Sequence, residues 1–469
     1  MKILLINSNT IQPPITPLGL AYIATASIKA GHEVKILDLN PSDNIKNDIK
    51  MAILSYCPDV IGISIRNIDN VTMLHSVYYI PEVKKIINLC KRFTEASIIL
   101  GGPGFSIMPK EIMSETKISF GVVGEGETAF IELLKCIEAG EQAIDIHGVI
   151  YKVGDKFINN KHKTMPSEEL DKSPLPAREL IDNMRYLNDG GMGNIQTKRG
   201  CNRRCLYCTY PMIEGKNLRF RSPEKVVAEI EVLKKMGIDY LHFSDSTFNI
   251  PNEHAINICK EMIKRGISIK YTPYMSPHSP SKKLLSLLKK TGCDGIIFGT
   301  DTVSEKMLIN LKKDFTVSDI YQSAKFCKEF KIPFSLNLLC GGPGETKETI
   351  RESLDNISRI KPVAAGAMIG IRCYPKTGLW EIACDEGQID RKANLLEPFY
   401  YVSPSINKEW LINTLQEYSL NNDNFFIPTD KKGYHTDDLV IEIYRSGFRG
   451  PFWEVNKKLK EIMSLKEGK

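Results

Sequence analysis

The sequence predicts an α/β protein built from two successive parallel sheets in which each strand returns through a helix. Three observations carry this. Apolar runs of strand length alternate with stretches of helix length twice along the chain, over residues 2–139 and again over 194–371. Between them lies a segment broken by Gly154 and by Pro174 and Pro176, and each proline disfavours helix in the residue before it. The chain of 469 residues is also longer than one hydrophobic core can serve.

In the first half, strands are expected at 2–7, 34–39, 60–65, 98–100 and 121–123. Helices follow at 17–28, opened by Pro17 and stopped by Gly31, then at 48–55, 81–93 and 128–139. This order gives a doubly wound, Rossmann-like domain over 1–150. Open parallel sheets bind ligands beyond the carboxyl ends of their strands. At those ends stand Asn7-Ser8-Asn9, the polar run Ser64 to Asn70, Gly101-Gly102-Pro103-Gly104-Phe105-Ser106 and Gly124-Glu125-Gly126-Glu127. Any one of these loops reads equally well as a tight turn on a solvated rim. Four on one edge favour a site, with Ser64, Arg66 and Asn67 as polar groups that packing alone would not require.

Residues 151–190 read as a linker, and from 191 the alternation resumes. Strands are expected at 194–198, 239–243, 268–272, 295–299, 333–338 and 366–371. Helices are expected at 223–236, 252–265, 280–291, 303–311, 316–330 and 346–359, the first of them capped by Ser222 with Pro223 at its first position. Six such units over 191–390 make a partial (β/α)6 barrel, whose chemistry sits at the carboxyl ends of its strands. Residues 391–469 form a small C-terminal region rich in aromatics, among them Phe399, Tyr400, Tyr401, Trp410, Tyr418, Phe425, Phe426, Tyr434, Tyr444, Phe448, Phe452 and Trp453. It either covers the open side of the barrel or forms a small core of its own.

The first strand of the barrel runs into Gly200 and then Cys201-Asn202-Arg203-Arg204-Cys205-Leu206-Tyr207-Cys208. Three thiolates at this spacing can close on one metal cluster from a single loop, yet a cubane of four irons needs four ligands, so one iron stays open. An open coordination position is where a substrate or cofactor binds. Zinc would need a fourth donor, and the next candidate, His242, lies inside an apolar run. The remaining cysteines of the 12 are scattered singly, which suits a reducing compartment, and an exposed cluster favours low oxygen.

A net charge of +6 spread without a long basic run gives no reason to expect nucleic acid. The opening apolar run is too short for a signal peptide, and no stretch reaches membrane-spanning length. The expected location is the cytoplasm.

The C-x3-C-x2-C loop, with Tyr207 directly before its last cysteine and a strand before the first, resembles the radical S-adenosylmethionine (SAM) superfamily. The first half resembles the cobalamin-binding domain that often precedes such barrels, through Pro17-Leu18-Gly19-Leu20, Gly31-His32-Glu33-Val34, Gly101-Gly102-Pro103-Gly104 and Gly124-Glu125-Gly126-Glu127. The domain order is also that of anaerobic Mg-protoporphyrin cyclases. The resemblance implies a [4Fe-4S] cluster on Cys201, Cys205 and Cys208. It implies SAM held by Tyr207, Ser244, Asp245, Ser246, Asp301, Asn337, Gly342 and Arg372, although a structural salt bridge explains Arg372 equally well. Cobalamin is expected against Pro17, Leu18, Ser64, Arg66, Asn67, Gly102, Gly104, Phe105, Gly124, Glu125 and Gly126. No Asp-x-His-x-x-Gly run is present, so cobalt is expected to have no histidine ligand from the protein.

The implied activity is methylation of an unactivated carbon or a phosphorus in a small molecule or peptide. SAM would be cleaved to a 5'-deoxyadenosyl radical, and an external one-electron reductant of the flavodoxin or ferredoxin type would supply the electron. Ring formation or rearrangement, a first domain serving only as scaffold, and an iron–sulfur electron carrier or redox sensor remain as alternatives. The sequence singles out no catalytic acid or base.

Overall fold

The computed structural model describes residues 1–40, 42–141, 145–279, 281–427, 438–451, 453–455 and 458. In its first sheet five parallel strands stand in the order Glu33–Asp38, Lys2–Asn7, Val60–Ser64, Ser97–Gly101 and Phe120–Val122. The chain reverses its direction of winding between Lys2–Asn7 and Val60–Ser64, which creates a crevice at their carboxyl ends. The opening run is apolar at consecutive positions because both of its faces are covered. Leu4 and Ile6 pack among Ile49, Ile53 and Ile87, while Ile3 and Leu5 pack among Leu20, Ala24 and Leu133.

The expected linker begins as part of this sheet. Val149–Val153 and Lys156–Asn159 form a hairpin around Gly154 that adds two antiparallel strands next to Phe120–Val122. The rest of the segment carries the short helices Ser167–Lys172 and Asn183–Asn188. Pro103–Ile107 and Pro109–Thr116 are two further helices that the periodicity did not reveal; each opens with a proline at its first turn.

The second sheet holds seven parallel strands in chain order, Gly193–Ile195, Tyr240–Phe243, Lys270–Met275, Ile296–Asp301, Phe334–Cys340, Ala364–Ile369 and Phe425–Phe426. The first and last of these do not pair, so the sheet is an open barrel. The six expected strands are all present, and the seventh comes from the aromatic tail. The first part of the tail covers the barrel: its helix Lys408–Asn421 buries Leu411 and Leu415 in the barrel core and Phe425 joins them, while Ile443, Tyr444 and Val455 form a small cluster of their own. Tyr434 and Phe452 lie outside the described residues. The barrel helices start where the sequence places them, on Ser222, Thr316 and Thr346, each accepting a backbone hydrogen bond from the first turn.

The carboxyl edges of the two sheets face each other. Arg372 beyond the second sheet donates from Nε to Asp69 Oδ2 beyond the first at 2.7 Å, with both side chains almost fully buried. Arg199 reaches Glu127 at 2.5 Å and Arg219 reaches Glu125 at 2.5 Å, the arginines buried and the glutamates half-buried. The short helix Tyr210–Ile213, which directly follows the cysteines, lies against Pro103–Ile107 and the Gly124 loop. No helix among the described residues is long and apolar enough to cross a membrane.

Candidate active site

The cysteine loop is tied down at both ends. Gly200 has φ +88°, and a side chain there would drive into the Asn217 carbonyl; only glycine fits the turn. Its amide donates to Glu214 Oε2 at 3.0 Å, the Cys201 amide donates to the Gly215 carbonyl at 3.1 Å, and the Leu206 amide to the Leu311 carbonyl at 3.1 Å. Cys201 is buried and Cys205 and Cys208 are partly so. Burial pushes the Cys208 thiol up to about 12 and raises that of Cys205, and the charge of Cys201 acts on both in the same direction. Among the described residues no three His, Cys, Asp or Glu side chains are drawn together tightly enough to hold a single ion. Three neighbouring thiols spread along one loop fit a larger iron–sulfur cluster, whose loading must displace their protons.

Asp245 was expected to bind the amino group of SAM, and here its carboxylate is taken up by the strand before the cysteines. Oδ1 accepts from the Thr197 and Lys198 amides at 2.7 and 3.3 Å, and Oδ2 from Thr197 Oγ1 and Lys198 Nζ at 2.5 and 3.3 Å. A carboxylate with four donors on its two oxygens is saturated. Asp245 therefore anchors the strand that delivers the cysteines. Ser246 Oγ donates to the Gly200 carbonyl and Ser244 Oγ to the Ile195 carbonyl, each at 3.2 Å, and both residues are half-buried.

Arg372 is likewise engaged. Besides Asp69 it donates to the Cys373 and Leu395 carbonyls at 2.5 and 2.7 Å, so of its two expected roles it takes that of a structural salt bridge. Asp301 lies beside the cysteine loop, where Tyr207 Oη and Lys313 Nζ both donate to its Oδ2. No hydrogen bond is made to its Oδ1 among the described residues. Asn337 Nδ2 donates to Tyr274 Oη at 3.1 Å, and the Tyr274 ring meets His242 edge-on at 5.8 Å. Burial keeps His242 below the usual imidazole range and Tyr274 above the usual phenol range, so this wall of the barrel is uncharged. In the glycine turn Gly341-Gly342-Pro343-Gly344, the Gly341 and Gly342 amides both donate to Glu345 Oε2.

On the first sheet's edge two of the expected glycines act between loops. A side chain on Gly102, at φ +99°, would meet the Ile65 carbonyl at 2.7 Å, and one on Gly104 would meet the Arg66 backbone at 3.0 Å. Their small size packs the third and fourth strand loops together. Phe105 is fully buried, with its ring over Gly121; it belongs to the core and not to a ligand surface. Pro17 is also buried and precedes its helix as the cap. Glu125 is held by Arg219 and by the Met165 amide at 2.9 Å, and Gly124 donates to Ser106 Oγ at 2.9 Å. Arg66 is bonded only to Asn67 Oδ1, at 2.6 Å, with no carboxylate on it among the described residues.

Residues 195–357 match the radical SAM superfamily profile, and residues 4–134 match that of the B12-binding domain. The chain joins a B12-binding domain to a radical SAM domain. Tryptophan 2-C-methyltransferase of Streptomyces laurentii is 28% identical over 437 residues, covering 80% of this chain and 73% of the relative. An uncharacterized methyltransferase of Pyrococcus horikoshii is 29% identical over 370 residues, covering 78% of each. Among solved structures, the radical SAM methyltransferase TsrM of Kitasatospora setae, with cobalamin and a [4Fe-4S] cluster bound, superposes with a TM-score of 0.88 at 25% identity, covering 100% of this chain and 99% of that one.

Around the radical SAM cysteines, Lys198, Arg199, Glu214 and Lys313 were not found from the sequence. Two adjacent cations in a strand about to enter a buried loop were a readable signal for the first two. Lys313 was not readable, because its partner Asp301 lies across an intervening helix.

Proposed function

We propose that this protein is a cobalamin-dependent radical SAM methyltransferase acting on an unactivated carbon, or a phosphorus, of a small-molecule or peptide substrate. The observation that carries this reading is the opposition of the two carboxyl edges, with the helix Tyr210–Ile213 bringing the cysteine loop against the rim of the B12-binding domain. A cofactor on each edge would meet its counterpart across one gap. Residues 1–159, including the hairpin, would form the cobalamin half and residues 191–427 the SAM half.

Within this reading Cys201, Cys205 and Cys208 hold the cluster. Ser244, Ser246, Asn337, the Gly342 backbone and the open Oδ1 of Asp301 are the groups placed to hold SAM, and Tyr207 orients Asp301. Leu18, Ser64, Arg66, Asn67 and the Gly124–Gly126 loop would border the corrinoid. With both cofactors bound, the cluster would supply an electron for SAM cleavage and the corrinoid a methyl group. The protein's own part is to orient both, to exclude water, and to offer the uncharged His242 and Tyr274 wall to a substrate. That wall suits a planar ring with a hydrogen-bonding edge, so tryptophan is the first substrate to try. An acidic one-electron carrier from the cytoplasm would act as reductant.

The test is anaerobic reconstitution with iron, sulfide, cobalamin, SAM, tryptophan and a low-potential reductant. A brown chromophore, a bound corrinoid band and SAM-dependent methylation are expected. Cys205→Ala should lose the chromophore and SAM turnover together. Retained turnover in that variant overturns the ligand assignment, a missing corrinoid band removes cobalamin, and SAM cleavage without a methylated product favours rearrangement.

A further inference from the structure

The segment following the helix Glu305–Asn310 clasps the cysteine loop at three points. The Leu311 carbonyl accepts from the Leu206 amide, Asp314 accepts from Arg203, and Lys313 Nζ reaches Asp301 Oδ2 at 2.6 Å, the oxygen that also takes the Tyr207 hydroxyl. The Lys313 and Asp301 side chains are only 6% and 9% exposed. A buried ion pair is costly to assemble, because desolvation consumes much of the attraction. Asp301 is also held at φ +64° beside an irregularity in strand pairing, a conformation rare for a residue with a side chain and common where function requires it. Two unfavourable features thus converge on one oxygen next to the cysteines. Packing alone would be served better by an apolar pair.

The position of the ammonium suggests its use. Lys313 Nζ meets the Tyr207 hydroxyl on Asp301 Oδ2, so the ammonium and the carboxylate stand together against the loop directly before Cys208, with opposite charges. Reduction adds a negative charge to an iron–sulfur centre, and its potential follows local net charge and burial. A cation fixed in a site shielded from water favours the reduced form far more than one on the surface would.

We propose that Lys313, clamped by Asp301 and Tyr207, is a positioning residue that makes the cluster on the Cys205 loop easier to reduce, with Asp301 offsetting part of that effect. This rests on the cluster assignment made above for Cys201, Cys205 and Cys208.

The test is a potentiometric titration of the reconstituted enzyme without SAM, followed by the electron paramagnetic resonance signal of the reduced cluster. Lys313→Met should keep its iron and sulfide content while its midpoint moves to more negative potential. Asp301→Asn should move it the opposite way, the double variant should return close to the parent, and Lys313→Arg should stay near it. Full iron content with an unmoved midpoint in both single variants overturns the proposal and leaves a structural clamp. Loss of the cluster from Lys313→Met but not from Lys313→Arg also overturns it, because the lysine would then hold the centre instead of tuning it. A parent protein that binds no cluster would instead sink the ligand assignment on which the proposal stands.

Discussion

Replacing Glu345 by glutamine should change how stability depends on pH. The side chain is 2% exposed and folds back over the glycine turn, and burial pushes its carboxyl up to about 7 although two backbone amides favour the anion. Both amides point at one oxygen, Oε2. A neutral carboxyl can satisfy them with its carbonyl oxygen while the other oxygen keeps the proton, and this is why burial prevails. The folded value lies above the ordinary 4.5, so the group binds its proton more tightly in the folded chain. Its contribution is complete below about pH 4.5 and is lost as pH rises through about 7. A difference of about 2.5 pK units at 1.36 kcal/mol each is about 3 kcal/mol.

Glutamine presents the same carbonyl oxygen with no charge to desolvate. Urea unfolding of parent and Glu345→Gln at pH 5.5 and pH 8.5 should therefore show the parent losing about 2 kcal/mol relative to the variant between the two conditions, the rest having gone between pH 4.5 and 5.5. A gap that does not change with pH would mean that the amides hold a carboxylate throughout, and the argument from burial would be wrong.

Two further perturbations probe the seam between the sheets. Arg372→Met leaves the Asp69 carboxylate buried without its cation and should cost about 3–5 kcal/mol in urea unfolding, with most of it recovered when Asp69→Asn is added; an additive double variant would deny the coupling. Gly102→Ala forces a side chain into a left-handed backbone against the Ile65 carbonyl and should cost about 1–3 kcal/mol. It should also weaken cobalamin binding measured by absorbance titration, and a stable variant with unchanged affinity would detach that loop from the corrinoid.

The fold was legible because its signals are local and repetitive. A strand such as Lys2–Asn7 is apolar at consecutive positions only because both faces are covered, and Ser222, Thr316 and Thr346 mark helix starts wherever they occur. The hairpin Val149–Asn159 was hidden because its outer strand is only four residues long and mostly exposed, and Phe425–Phe426 because two residues carry no period. Of the site, the cysteines were legible from spacing. Direction was not: Asp245 and Arg372 are the residue types a ligand site uses, yet each is consumed by partners brought in from 47 to 48 residues away, or from 303. Phe105 next to a glycine loop was expected against cobalamin, and only the opposing Gly121 shows that its ring fills the core.

The seam has a last consequence. Asp69 with Arg372, Glu127 with Arg199 and Glu125 with Arg219 pin the two halves at separate points, all largely shielded from water. Parting them would strand several buried ions at once, a cost that opposes any swinging of one half against the other.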